Sequence, residues 1–244
     1  MDIARYYQST DYISHSDTKK GLINRLYHLV RRYTLHTKRK LIERRTGIKK
    51  GTLLDIGAGS GAFMNHMRLE GWKVTGIEQD QQASANAKSL YDLTLHGLDG
   101  FFNLPAASFN AITMWHVLEH VHDLHEYIEQ IKKLLAPAGK IFIAVPNYTS
   151  YDAGKYGKFW AAYDVPRHLY HFSPAAMAVL LESHGMKIDH IQPMWFDSFY
   201  VSLLSEKYRS GHPNLFRGVY NGLLSNSQAI SNGRRASSII YIIS

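Results

Sequence analysis

The period of the hydrophobic pattern changes several times along this 244-residue chain. From Gly21 to Thr46 the apolar positions are Leu22, Leu26, Leu29, Val30, Tyr33, Leu41 and Ile42, a spacing that predicts one or two amphipathic helices. After Lys50 short apolar runs alternate with helical patterns. "TLLDIG" (52–57) and "KVTGIEQD" (73–80) read as strands, each followed by a helix: "AFMNHMRLEG", ending at Gly71, and "QQASANAKSL". "LTLHGLD" is predicted as a third strand and "FNAITMWHV" as a fourth, before a helix over 123–135 that Pro137 and Gly139 stop. "KIFIAVPN" (140–147) is the fifth strand and "KIDHIQPMW" the sixth, separated by a polar-aromatic stretch (148–172) and the helix "SPAAMAVLLESHG". Residues 197–235 predict two helices, and the apolar "SSIIYIIS" a seventh strand.

Strands alternating with helices at this spacing imply an α/β fold, a doubly wound sheet with helices on both faces. Ligands of such sheets lie beyond the carboxyl ends of the strands, so the residues directly after each strand are the candidates for chemistry. The organisation expected is a basic helical cap or lid over 1–48 and one catalytic-type domain over 49–244. Residues 148–172 would then form a loop at the ligand edge, and 196–235 a helical insert before the last strand.

Composition narrows the chemistry. The chain has no cysteine, which excludes disulfides, thiolate metal sites and cysteine nucleophiles. No secretory signal and no apolar run near the roughly 18–20 residues of a membrane span is evident, so a soluble cytoplasmic protein is expected. The net charge of +8 is concentrated between Lys19 and Lys50, where twelve basic residues accompany one acid, Glu43. A basic arm of this kind suits an anionic membrane surface or an acidic substrate, or is a solvated helix face. Interleaved aromatics are too few to argue for nucleic acid.

The strongest local signal is "LLDIGAGSGAF". Gly57, Gly59 and Gly61 stand at a strand-to-helix turn, where backbone must bend sharply and approach a ligand. Glu78 ends the next strand, placed to accept both hydroxyls of a ribose. Gly57, Gly59 and Ala62 also satisfy the dinucleotide pattern G-x-G-x-x-A, so a dehydrogenase is a rival. Asp55, on the strand itself, counts against it: a carboxylate there suits a cationic amino group and repels a pyrophosphate.

In order and spacing, "LLDIGAGSGAF", "VTGIEQD", "LPAASFNAITMWHVLEHVHD" and "LLAPAGKIFIAVPN" resemble the successive motifs of class I S-adenosylmethionine-dependent methyltransferases, over roughly residues 50–195. The branch resembled is the one that includes the ubiquinone-biosynthesis O-methyltransferases. The resemblance implies a Rossmann-like seven-stranded sheet with its last strand antiparallel, with S-adenosyl-L-methionine as donor and S-adenosyl-L-homocysteine as product. It implies that Asp55 acts on the methionine ammonium, mainly through water or backbone, while Gly57, Ala58, Gly59 and Gly61 line the methionine part. Glu78 would hold the ribose with Gln79 beside the adenine, Asp99 would receive the adenine amino group, and Leu98 would pack on the ring. Trp115 would flank the sulfonium. His116 departs from the pattern, since relatives carry a small or acidic residue there.

The segment "WHVLEHVHDLHEY" (115–127) also contains H-x-x-E-H, a zinc-peptidase signature. His116 and His120 at i and i+4 could chelate. A zinc peptidase needs a distant third ligand as well, and here His116 is delivered by a strand at the ligand edge, so no metal is expected. His116 is read instead as a general base or a donor contact. Methyl transfer is an in-line displacement that needs an aligned acceptor and, for a hydroxyl, a base. "FWAAYDVPRHLYHFSP" supplies candidates: His168 or His171 as base, Arg167 as an anion contact, and Trp160, Asp164 and Tyr170 as pocket wall. Tyr6, Tyr12 and His15 of the N-terminal segment are candidate lid residues.

The function expected is O-methylation of a small-molecule acceptor, lipidic or glycan-linked among the candidates. The alternatives are N- or C-methylation, or a non-catalytic donor-binding module docking on an anionic partner through residues 19–50. The oligomeric state is open.

Overall fold

The computed structural model describes residues 22–244, with side-chain environments from Leu29 onward. In chain order the elements are α1 (Leu22–Thr46), β1 (Thr52–Ile56), α2 (Ala62–Leu69), β2 (Lys73–Ile77), α3 (Gln81–Tyr91), α4 (Leu98–Phe102), β3 (Phe109–Trp115), α5 (Leu124–Leu134), β4 (Leu135–Pro146), α6 (Tyr151–Tyr156), α7 (Pro174–Ser183), β5 (Ile188–Pro193), α8 (Asp197–Ser210), α9 (Leu215–Ser231) and β6 (Ser238–Ile243). The six strands form one sheet in the order β2-β1-β3-β4-β6-β5. β1 pairs with β2 in parallel, and β5 with β6 antiparallel. No helix among the described residues is long and apolar enough to cross a membrane.

The sheet has six strands, where the sequence predicts seven. "LTLHGLD" contributes a single parallel bridge between Ile77 and His96, held by His96 N–H to Gly76 O and Glu78 N–H to His96 O, both 2.9 Å. The segment stops there because extended Gly97 leads straight into α4.

Local chemistry explains most boundaries. Asp80, Ser150, Ser173 and Asn214 each accept a backbone N–H at the start of α3, α6, α7 and α9. Pro174 at the first position of α7 fits the same rule, and Gly211 ends α8 at φ +80°.

The described residues fall into two compact units. The first holds 22–113 and Gln130–Ile141; the second holds Met114–Glu129 and Phe142–Ser244. The strands β3 and β4 run from one into the other. In the first, Leu53, Leu54, Ile56, Met64, Met67 and Ile77 are buried; in the second, Phe142, Ile143, Met177 and Tyr241 are. Each such side chain contributes about 1.5–3 kcal/mol by leaving water. The basic arm is partly neutralised: Arg39 of α1 pairs with Glu43 at 3.1 Å and Glu70 at 2.7 Å.

Candidate active site

In the first unit, β1 runs into Gly57-Ala58-Gly59-Ser60-Gly61, whose three glycines have φ of +70°, +55° and +75°. Backbone in this region strains any side chain, which is why glycine recurs there. At Gly61 a Cβ would also lie 3.0 Å from Leu93 Cδ1 and 3.1 Å from Ala87 Cβ. The N–H groups of Gly57 and Ala58 both donate to Ile77 O, at 2.8 and 3.0 Å, and so tie the turn to the end of β2. Glu78 completes the tie. Its Oε2 accepts the Gly59 N–H at 2.7 Å and its Oε1 the Asp80 N–H at 2.9 Å. A carboxylate so fixed keeps lone pairs for two more donors, the pattern a ribose diol needs.

Asp55 is buried on β1, and Thr113 Oγ1 donates to it at 2.6 Å from β3. Burial pushes its carboxyl up to about 7 against the opposing hydrogen bond from Thr113 and charge of Lys38. A cation placed beside it would favour its charged form. Gln79 is exposed after β2; Leu98, half-buried, and Asp99, exposed, lie in the first turn of α4.

In the second unit, the chain leaves β3 at Trp115 and bends at His116, a non-glycine residue at φ +58° whose N–H donates to Ala144 O at 3.0 Å. The ring is held between two carboxylates: Nε2 meets Asp197 Oδ2 at 2.8 Å and Nδ1 meets Glu119 Oε1 at 3.3 Å. Desolvation opposes protonation, but Asp197 and Glu119 outweigh it and push the imidazole up to about 10. Near neutral pH His116 is therefore a cation and a poor proton acceptor.

Glu119 is fully buried; burial would raise its carboxyl, and His116, His168 and His120 together hold it below its ordinary value. Its Oε2 has no hydrogen-bond partner. His120 Nδ1 donates to Arg167 O at 3.0 Å, and His168 Nδ1 to Ala162 O at 2.8 Å, because a carbonyl can only accept. On His168 that places the proton of a neutral ring at Nδ1, and its Nε2 lies 3.7 Å from Asp164 Oδ2. Burial pushes His168 down to about 4, Glu119 opposing, so it is neutral at physiological pH. The two rings meet edge to face with centroids 4.6 Å apart. One ligand atom from each of Glu119, His120 and His168 lies within 4.8 Å of the others, a set that suits a divalent cation as well as a proton.

The remaining expected residues divide. His171 Nε2 donates to Tyr163 O at 2.9 Å on the exposed side. Arg167 is engaged by Asp164, its Nε 3.0 Å from Oδ1. Tyr170 donates its hydroxyl to His122 O at 3.1 Å. Trp160 is a correction: it is 2% exposed, packed with Tyr156, Ala161 and Val201, and its Nε1–H is spent on buried Asp152 at 2.8 Å. It is core, not pocket wall. Tyr6, Tyr12 and His15 lie outside the described residues. The two histidines of H-x-x-E-H have different neighbours: His116 turns to Asp197, and His120 to His168. Sequence reading missed Asp197, 81 positions from His116, because only the fold brings the two together.

A glycine turn clasped by the acid that ends the second strand, on a doubly wound sheet with an antiparallel last pair, defines a class I methyltransferase fold. Residues 28–191 match the methyltransferase domain family, and the chain belongs to it. Its donor is S-adenosylmethionine and it is an enzyme. It is 26% identical over 158 residues to a ubiquinone biosynthesis O-methyltransferase of Xanthomonas axonopodis pv. citri, covering 59% of this chain and 66% of that one. A SAM-dependent methyltransferase from Archaeoglobus fulgidus superposes with a TM-score of 0.58 at 17% identity, over 87% of this chain and 93% of that one. The 1,6-didemethyltoxoflavin-N1-methyltransferase of Burkholderia thailandensis, solved with S-adenosylhomocysteine, gives 0.54 at 16% identity, over 86% and 76%. At these identities the two solved structures establish the fold.

Proposed function

We propose that the protein methylates a hydroxyl oxygen of a small molecule, with His168 as the base. The acceptor oxygen attacks the donor's methyl carbon, the carbon–sulfur bond breaks with its electrons passing to sulfur, and the hydroxyl proton goes to His168 Nε2. What supports this reading is the fixed tautomer of His168: Nδ1–H is anchored on Ala162 O, and burial keeps Nε2 unprotonated with Asp164 Oδ2 3.7 Å away. So low a proton affinity favours an acidic hydroxyl, phenolic or enolic, over an alkyl alcohol. The O-methyltransferase named among the relatives agrees with an oxygen acceptor. In the first unit, Glu78 and the glycine turn would hold the donor, with Asp55 favouring its ammonium. The test is methyl transfer from labelled donor to a panel of phenols and enols. His168→Ala is expected to lower kcat about 100-fold at unchanged donor affinity; unchanged turnover would contradict the assignment.

The unpartnered Glu119 Oε2 favours one second reading, in which Glu119, His120 and His168 hold a divalent cation that binds the acceptor. Chelation separates the two: turnover lost with chelator and restored by added cation supports the cation, and turnover unaffected supports the base.

A further inference from the structure

The helices α8 and α9 pack with their chemistry reversed. On α9 the buried residues are Gly218, Asn221, Gly222, Ser225 and Ala229, whereas Leu215, Phe216, Val219, Tyr220, Leu223 and Ile230 are exposed, Phe216 at 88% and Ile230 at 77%. A helix of a water-soluble surface hides its large apolar side chains and shows its small and polar ones. Here the glycines explain the inversion. A Cβ at Gly218 would lie 3.0 Å from Leu203 Cα, and one at Gly222 3.0 Å from Phe199 Cα. The G-x-x-x-G spacing lets the two backbones approach closely, the packing helices use within lipid. With the inner face filled by small residues, the aromatic and aliphatic ones are left outside.

Charge indicates what they face. From Ser198 to Arg235 the one acidic residue is Glu206, which is fully buried and bonded to Arg209 at 2.9 Å. Arg209, Arg217, Arg234 and Arg235 are exposed on or just beyond the hairpin. Large exposed apolar side chains interspersed along the chain with basic ones, with no exposed acid from Ser198 to Arg235, match an interface that is greasy within and anionic at its surface. A second copy of the chain fits less well, because a two-fold contact would set this patch, Arg217 included, against itself. At 17 residues α9 does not span a bilayer.

We infer that the α8–α9 hairpin docks the protein on the surface of an anionic lipid bilayer, with Phe216, Tyr220 and Leu223 entering the headgroup–acyl boundary. The inference does not depend on which atom is methylated. It is tested by sedimenting the full chain with phosphatidylcholine vesicles, with and without phosphatidylglycerol, alongside a Phe216→Ser/Leu223→Ser variant and Arg217→Glu. Both serine substitutions fall on exposed positions, and an unchanged rise in Tm with donor verifies the fold of each variant. Wild type is expected to sediment with the anionic vesicles, the double variant to bind about tenfold or more weakly, and Arg217→Glu to lose binding in part. No sedimentation with anionic vesicles, equal binding to both vesicles, or undiminished binding by the double variant would overturn the inference. So would a wild-type dimer that the double variant converts to monomer, which assigns the face to a second copy.

Discussion

His116 shows how much a residue's chemistry depends on what the fold brings to it. In sequence it is a histidine after a strand, with a base among its natural roles. In the structure Asp197 and Glu119 clamp both ring nitrogens, and the backbone of the residue is left-handed, which is unusual for a non-glycine residue. The sign of the consequence follows from the direction of the shift. A folded value near 10, above the ordinary 6.5, means that its stabilisation is complete below about pH 6.5 and is lost as pH rises through 10. Unfolding measured across this range should show declining stability, and Asp197→Asn should flatten the decline and let the ring titrate lower by NMR. A ring that titrates near 6.5 in the wild type would contradict the clamp. By contrast, Gly57, Gly59, Gly61 and Glu78 were legible without coordinates, because the turn they form is local and its partners follow within one strand and one helix.

Among elements, legibility tracks whether a segment's own pattern decides its fate. The β-α succession from Thr52 onward has strong periods and clear caps, and it appears where expected. Two segments were decided elsewhere. The run "LTLHGLD" has strand composition, yet His96 makes one bridge before Gly97 opens α4. Pro137 and Gly139 were read as ending a helix; they do so, but β4 begins at Leu135 and carries both within it. On α9 the existence of the helix was predictable, whereas its inverted burial follows from closeness to α8. That closeness yields a stability prediction. Gly218→Ala puts a methyl group 2.6 Å from Leu203 Cδ2 and 3.0 Å from its Cα, so the helices must separate, at a cost of about 1–3 kcal/mol. The fall in Tm reads this directly, and an unchanged Tm would mean that the hairpin is looser than described.

For the whole molecule, the chain delivers two kinds of chemistry from two compact units. The first carries the glycine turn, Glu78 and Asp55, which suit a ribose-bearing, cationic donor. The second carries the histidine–carboxylate cluster and the apolar hairpin. The fold and the glycine turn tied to Glu78 were legible because each motif stands next to its own strand; the cluster was not, because Glu119, His168 and Asp197 come from separate stretches of chain. The donor is the claim on which the rest stands, and calorimetric titration of the full chain tests it most directly. S-adenosylmethionine and S-adenosylhomocysteine should both bind, NAD should not, and Glu78→Ala should weaken donor binding about tenfold or more if the carboxylate accepts from the ribose as proposed. Binding of NAD with no heat from either adenosyl compound, or donor affinity unchanged in Glu78→Ala, would contradict the account.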